Sequence, residues 1–358
     1  MNIDDRIKAF ARLSRFMKAV ANSDKSLIPD GLQEDYENFQ QLIPRLYDYN
    51  GWFAEEFVRY QLDALADAST EENLHKWLIP YRDRLAKIDA NKTVAVIMAG
   101  NIPFVGFSDF IAVLISGYRL LAKLSSKDTL LPKAIAQVLV KINPEFEDKI
   151  ILTEERISGF DFDAVIATGS DNTARYFEYY FGKYPNIIRR NRTSVAVIKG
   201  DETEDDLERL ADDVFLYFGL GCRNVSKIYI PQDFDINRLF KAFYRYRHLI
   251  DYHKYANNYE YNRAIYLLNK ERFFDNGFVL LKEEDLSLVS PTAVVFYQRY
   301  SNWQNVPQYL EAFRNKIQCV VSNNPLERFA VVPMGQAQRP MLWDWPDDID
   351  VMEFLLQL

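Results

Sequence analysis

The sequence predicts an α/β protein with two parallel-sheet lobes, the first preceded by a helical N-terminal region. Three observations carry this. Residues 1–90 repeat apolar positions at three- and four-residue steps, the period of an amphipathic helix. From residue 93, short β-branched apolar runs alternate with helix-like segments, as buried parallel strands alternate with crossover helices. The same alternation continues beyond residue 194. A chain of 358 residues also exceeds the about 100–200 usual for one domain, which fits two lobes.

In the opening helix Ile7, Phe10, Leu13, Met17 and Val20 form one apolar face, and Ile28-Pro29-Asp30-Gly31 breaks it. Further helices are expected over 32–43, 52–66 and 71–79, with Asn50-Gly51 and Ser69-Thr70 as turn and cap signals. The first sheet takes strands at 93–99, 118–123, 149–152 and 164–167, and helices at 104–116, 128–142 and 170–181. A strand at 194–198 follows. The acidic run Asp201-Glu202-Thr203-Glu204-Asp205-Asp206 then opens a helix over 207–218. Acids at a helix start favour the macrodipole, and no histidine or ligand loop accompanies them, so no metal site is expected. A strand at 227–230, a helix from Asn237 and a Tyr/Asn-rich stretch at 252–261 come next. Strands near 278–281, 293–296 and 318–321 complete a second parallel sheet, and the apolar end, 349–356, should dock on something.

The net charge of −8 and the lack of a dense Lys/Arg run argue against nucleic acid as a partner. The local cluster Arg189-Arg190-Asn191-Arg192 remains able to hold a small anion. The polar start, Met1 to Asp5, is no secretory h-region, and no apolar stretch reaches the roughly 18–20 residues that span a bilayer. A cytoplasmic protein with no membrane span is expected, in which its two cysteines, Cys222 and Cys319, stay reduced.

Cys222 lies in Phe218-Gly219-Leu220-Gly221-Cys222-Arg223-Asn224, between a helix and a β-branched strand. Glycines there permit close approach of a ligand, and an adjacent Arg stabilises thiolate. Packing and nucleophilic roles both remain open for it on these residues alone. Cys319, inside the apolar run Ile317-Gln318-Cys319-Val320-Val321, reads as structural. Asn101 follows the first strand in Ala99-Gly100-Asn101-Ile102-Pro103, at a carboxyl end where α/β sheets bind ligands. Its amide is either an oxyanion donor or a cap for the next helix. Ser170, in Thr168-Gly169-Ser170, is an N-cap, a phosphate contact, or both. Neither a G-x-G-x-x-G fingerprint nor a P-loop is present.

Taken in order, these pieces resemble the aldehyde dehydrogenase superfamily. Its W-N-x-P turn is similar to Gly100-Asn101-Ile102-Pro103, and its K-P-S-E strand end to Lys123-Leu124-Ser125-Ser126. Its T-G-S turn matches Thr168-Gly169-Ser170, and its G-Q-x-C loop matches Gly219-Leu220-Gly221-Cys222. The family's hydrolytic members carry a Glu in E-L-G-G-K-S-P. The corresponding stretch here, Arg189-Arg190-Asn191-Arg192-Thr193-Ser194, holds no carboxylate. Without a base to activate water, an acyl-cysteine is exchanged with a thiol. Ser126 and Lys127 stand where NAD-preferring relatives have Glu, which favours NADPH. The helical N-terminal region, Gly219 to Ser226, and Tyr255-Ala256-Asn257-Asn258-Tyr259 are similar to the acyl-CoA reductase branch known as the fatty acid reductase subunit of bacterial luminescence operons.

The resemblance implies an aldehyde dehydrogenase-like fold. Residues 1–90 would pack on an NAD(P)-binding, Rossmann-like lobe at 91–200. Residues 201–325 would form the catalytic thiol lobe, and 326–358 would return to the cofactor lobe or make an oligomer contact. It implies NADPH-dependent reduction of a fatty acyl-CoA to the aldehyde through acyl-Cys222, with CoA as leaving group. Asn101 and the Cys222 N–H would hold the oxyanion. Lys123, Ser126, Lys127, Gly169 and Ser170 would bind cofactor, and His253 is a candidate proton donor. An acyl-transferring partner protein and a homo-oligomer fit the same reading. The alternatives are an acyl phosphate reductase of the superfamily and a nucleotide- or CoA-binding pseudoenzyme.

Overall fold

Apolar periodicity makes the N-terminal residues helical, as Ile3–Asn22 (α1), Gln33–Tyr49 (α2), Glu55–Ala68 (α3), Glu71–Leu78 (α4) and the single turn Arg82–Leu85 (α5). These belong to a computed structural model that describes residues 1–88 and 90–358, apart from the side chain of Asp171. Asn2 caps α1 by accepting the Asp5 N–H, and the expected stripe from Ile7 to Val20 is buried. The second helix runs on to Tyr49 instead of stopping at 43, because Leu46 continues the buried stripe of Tyr36, Phe39 and Ile43, which opposes the lost hydrogen bond and crowding at Pro44 on the exposed face.

The first sheet follows. Its elements are Thr93–Ile97 (β1), Phe107–Ser116 (α6), Arg119–Lys123 (β2), Leu130–Ile142 (α7), Ile150–Thr153 (β3), Ala164–Thr168 (β4), Asp171–Phe181 (α8) and Asn186–Arg189 (β5). The strands are all parallel, in the order β3-β2-β1-β4-β5. Val94 and Val96 face the core built by the N-terminal helices with α6 and α7, while Ala95 and Ile97 meet Val165, Ala167, Phe177 and Phe181 on the other face. Both faces are covered, so the strands read as unbroken apolar runs. The strand order reverses between β1 and β4, which makes their carboxyl ends the switch point where such sheets take ligands.

The second sheet comprises Thr193–Val197 (β6), Glu204–Phe215 (α9), Val225–Pro231 (β7), Ile236–Phe243 (α10), His253–Leu268 (α11), Phe274–Asp275 (β8), Leu280–Glu283 (β9), Val294–Tyr300 (β10), Val306–Glu311 (α12), Ile317–Val321 (β11) and Val331–Val332 (β12). Its order is β12-β11-β6-β7-β10-β9-β8, parallel except for the short β8–β9 edge pair. The acidic run caps α9: Thr203 and Asp206 form a reciprocal capping box, and Glu202 accepts the N–H groups of Lys199 (2.6 Å) and Gly200 (2.8 Å). Among the described residues, His, Cys, Asp and Glu side chains nowhere gather in a group of three or more suited to a metal. Nor is any described helix long and apolar enough to cross a membrane.

The chain divides into Met1–Asn191 with Arg339–Leu358, and Arg192–Gln338. The expected division at 200 is corrected: β6, placed by sequence in the first lobe, pairs with β7 and β11 of the second sheet. Residues 326–338 likewise stay with the second unit, and only Arg339 onward returns to the first. There Arg339 binds Asp63 (2.7 Å) and Asp67 (2.9 Å). The last helix, Val351–Leu356 (α13), buries Val351, Met352 and Leu355, and the Tyr118 hydroxyl donates to the Leu355 carbonyl at 2.9 Å. Its apolar side is thus used within its own unit and gives no argument for an oligomer.

Candidate active site

In the first unit, the expected cofactor and oxyanion residues lie past the carboxyl ends of adjacent strands. Asn101 is exposed in the turn after β1. It does not cap α6, whose N-cap is Gly106, so the capping reading of its amide fails. A Cβ on Gly100 would stand 2.5 Å from Ser125 Oγ and 3.2 Å from Lys127 Cβ. Only glycine therefore lets the turns after β1 and β2 touch. Lys123 ends β2 half-buried, with its ammonium donating to the Leu124 carbonyl at 3.0 Å. Ser126 and Lys127 are exposed beside a cavity of about 60 Å³ that Tyr49, Asn50 and Phe53 also line.

Gly169 and Ser170 join β4 to α8. Ser170 is the N-cap, accepting the Thr173 N–H at 3.3 Å, with its hydroxyl 2.9 Å from that of Thr173. A Cβ on Gly169 would meet Thr173 and Phe177 at 2.9–3.0 Å, so this glycine serves close packing of α8 on the strand. The arginine cluster is spent on structure. Arg189 makes a buried two-pronged pair with Asp109 (2.6 and 2.9 Å), Arg190 pairs with Glu178 (2.6 Å), and Arg192 donates to the Ile317 carbonyl (3.2 Å). That cluster does not form the small-anion site its composition allowed.

In the second unit, Cys222 sits on a loop of unusual backbone. After α9 ends at Phe215, Tyr217, Phe218 and Gly219 all adopt left-handed φ values of 56°, 58° and 74°. Non-glycine residues in that region cost roughly 1–2 kcal/mol each. Burial of both aromatic side chains, each 1% exposed, opposes the cost. Phe218 packs edge-on to Tyr252 (5.1 Å between ring centres) and against Tyr255 (6.0 Å). The aromatic stretch that sequence singled out thus buttresses the loop, as the start of α11.

Asn224 closes the loop. Its Oδ1 accepts the Gly221 N–H at 2.8 Å, and its Nδ2 reaches the carbonyls of Leu216 (2.9 Å), Asp213 (3.1 Å) and Val214 (3.3 Å). Those are carbonyls that the end of a helix leaves unsatisfied. Ser194, fully buried on β6, donates to the Cys222 carbonyl at 3.0 Å and lies 3.0 Å from Cys319 Sγ. Cys222 is exposed and Cys319 half-buried. Arg223 donates its Nε–H to the Ala337 carbonyl at 2.5 Å. Asp213, fully buried in α9, accepts the N–H groups of Gly335 (2.6 Å) and Ala337 (2.9 Å), and burial pushes its carboxyl up to about 7. His253 is exposed in the first turn of α11, next to Tyr252.

Sequence reading passed over Asn224, Ser194 and Asp213 as individuals. Asp213 alone left a signal: it stands three residues after Leu210 on the core-facing side of α9, where a carboxylate needs a partner.

A family model described as acyl-CoA reductase (LuxC) matches residues 70–331. The long-chain acyl-protein thioester reductase of Aliivibrio fischeri is 23% identical over 331 residues, covering 82% of this chain and 66% of that protein. The matched region therefore spans just under two thirds of the relative's length. Among solved structures, an acetylating aldehyde dehydrogenase from Geobacillus thermoglucosidasius superposes with a TM-score of 0.61 at 9% identity, covering 96% of this chain and 86% of that one. The Mycobacterium tuberculosis aldehyde dehydrogenase complexed with NAD+ gives 0.54 at 14% identity, covering 88% and 74%. The expected aldehyde dehydrogenase-like fold, with its helical N-terminal region, is the one observed.

Proposed function

Because the chain belongs to the acyl-CoA reductase (LuxC) family, we propose that it reduces an acyl thioester to the aldehyde through a covalent acyl group on Cys222. The observation that carries this reading is the Ser194–Cys222 contact. The stretch that corresponds to the hydrolytic family's Glu segment ends at Ser194. It lies against the exposed thiol's own backbone and brings Ser194 there instead of a carboxylate. An acyl-cysteine formed beside such a strand has no base from that segment to activate water.

The Cys222 thiolate attacks the acyl carbonyl, forming the C–S bond and an oxyanion. Asn101 donates its amide to that oxygen, together with the Cys222 N–H, a type of contact worth about 3–4 kcal/mol per donor in well-studied enzymes. Collapse expels the thiolate of the substrate, which takes a proton; His253 is the candidate donor. A nicotinamide cofactor held by the turns after β1, β2 and β4 would supply the hydride that reduces the acyl group. The resulting thiohemiacetal releases aldehyde and regenerates the Cys222 thiolate. Switch-point turns after β1, β2 and β4 suit such a cofactor: Gly169 and Ser170 at the diphosphate, Lys123 at the adenosine ribose, Ser126 and Lys127 near a 2′-phosphate. NADPH is accordingly the preferred form. The acyl donor is a fatty acyl-CoA or, by analogy with the Aliivibrio relative, an acyl-protein.

Intact mass after mixing with a panel of acyl-CoAs tests the reading. An adduct that maps to Cys222, is absent from Cys222→Ala and disappears with NADPH is expected. Full reductase activity in Cys222→Ser, or oxidation of NADPH by acyl phosphate alone, overturns it.

A further inference from the structure

The turns that carry Asn101 and the Ser126-Lys127 pair are tied by a residue outside the mechanism just given. Asp128 is 5% exposed, and its Oδ2 accepts the Phe104 N–H at 2.6 Å. Phe104 ends the Asn101 turn in a left-handed conformation, φ 45°, with its ring buried. A bulky residue holds that conformation only where its surroundings over-determine it. The carboxylate bond is one such constraint, and the contact of Gly100 with Ser125 and Lys127 is another. On the far side, Asn50 Nδ2 holds the Lys127 carbonyl at 3.1 Å, anchoring this second turn to the α2–α3 connection. Asp128 also keeps its own turn closed, its N–H donating to the Ser125 carbonyl at 3.0 Å.

An aspartate just ahead of a helix ordinarily caps it and stays wet, but the N-cap position of α7 is Thr129 and no side chain caps that helix. Asp128 instead spends one oxygen on a neighbouring turn, and its Oδ1 is buried with no partner among the described residues. We infer that Asp128 is a positioning residue that locks the Asn101 turn onto the cofactor turn, so that the amide keeps its aim at the reacting carbonyl. This rests on the oxyanion role proposed for Asn101. Burial pushes the Asp128 carboxyl up to about 7, against the Phe104 hydrogen bond. An amide at this position therefore reproduces the acceptor that matters near neutral pH.

The test is a double-mutant cycle in kcat with acyl-CoA and saturating NADPH, using Asn101→Ala, Asp128→Ala and both together. Misplacement of about 1 Å can cost up to 100-fold, so Asp128→Ala should lower kcat roughly 10- to 100-fold. It should leave KM for NADPH within about threefold and add nothing further to Asn101→Ala, because both changes remove one interaction. Asp128→Asn should recover most of the loss. If Asp128→Ala does not fold, Asp128→Ser takes its place, since its hydroxyl is too short to reach the Phe104 N–H. Multiplying effects in the double variant, or a loss confined to KM, overturns the positioning role while the oxyanion reading survives. An Asn101→Ala variant with unchanged kcat sinks the oxyanion reading and this inference with it.

Discussion

The amide nitrogen of Asn224 lies 2.9 Å from the carbonyl oxygen of Leu216, where α9 gives way to the left-handed run before Cys222. With the Gly221 bond to its Oδ1, this one side chain closes the loop from both ends. Removing it strands the half-buried Gly221 N–H and several helix-end carbonyls. Asn224→Ala should destabilise the second unit by ~3 kcal/mol, at the upper end for unsatisfied buried groups. It should also raise the alkylation rate of Cys222 and lower kcat. A urea midpoint and iodoacetamide kinetics measure both. Asn224→Asp, which keeps the acceptor but turns a charge on the carbonyls, should be no better.

Gly219 makes the narrowest demand on residue type. Its φ is 74°, and a Cβ there would approach the Val214 carbonyl oxygen to 3.3 Å. Gly219→Ala should cost about 1–2 kcal/mol for the left-handed backbone, with some added crowding. The matching change at Gly159, which has open space around it and an ordinary φ, should be within about 0.5 kcal/mol of neutral. Equal urea midpoints for the two variants would contradict the loop geometry.

The fold was legible where elements were long or apolar, because burial on both faces leaves an unmistakable run. β1, β2 and β4 are such cases. β5 was missed since Asn186-Ile187-Ile188-Arg189 is an edge strand bonded only to β4, with polar ends. Most of α11 escaped as well. Its buried side is Tyr255, Tyr259, Asn262 and Tyr266, a helical stripe made of residues with weak helix propensity and polar tips. The Cys222 loop could be located from its glycines and the cysteine. What holds it could not, because Ser194 and Asn224 act through contacts 28 and 8 residues away in sequence. The Arg cluster misled for the opposite reason: its charges look available until Asp109 and Glu178 are brought in by folding.

Asp213 should leave a mark on the pH dependence of stability. Its carboxyl is raised from 3.8 to about 7, chiefly by burial and slightly by Asp212, while the Gly335 and Ala337 N–H groups and Arg223 oppose the rise. A carboxyl that binds its proton more tightly when folded contributes stability that is complete below the unfolded pKa. That contribution fades as pH rises through the folded one. Between about pH 4 and 7 the native protein should therefore lose up to roughly 4 kcal/mol relative to Asp213→Asn, with no further change above pH 8. The absolute stability of the variant is lower, since its NH2 faces a backbone donor. Only the slope of the difference in urea-derived stability is read. A flat difference between about pH 4 and 7 means that the folded Asp213 carboxyl is not raised and is charged throughout that range.

Cofactor preference offers a test that leaves the thiol chemistry alone. Ser126 is exposed in the turn after β2, with Lys127 beside it. In the proposed reading they flank a 2′-phosphate, so a carboxylate at 126 would stand next to a dianion. Two like charges about 4 Å apart repel by several kcal/mol at an effective dielectric of 20, but exposure and salt reduce this. Ser126→Glu should raise KM for NADPH about tenfold at physiological salt and leave KM for NADH within about twofold. The penalty should shrink as ionic strength rises, because only the charge term is screened. Lys127→Ala should weaken NADPH alone in the same manner. If both variants weaken NADPH and NADH equally, the turn binds the shared part of the cofactor, and the argument for NADPH from these residues is lost.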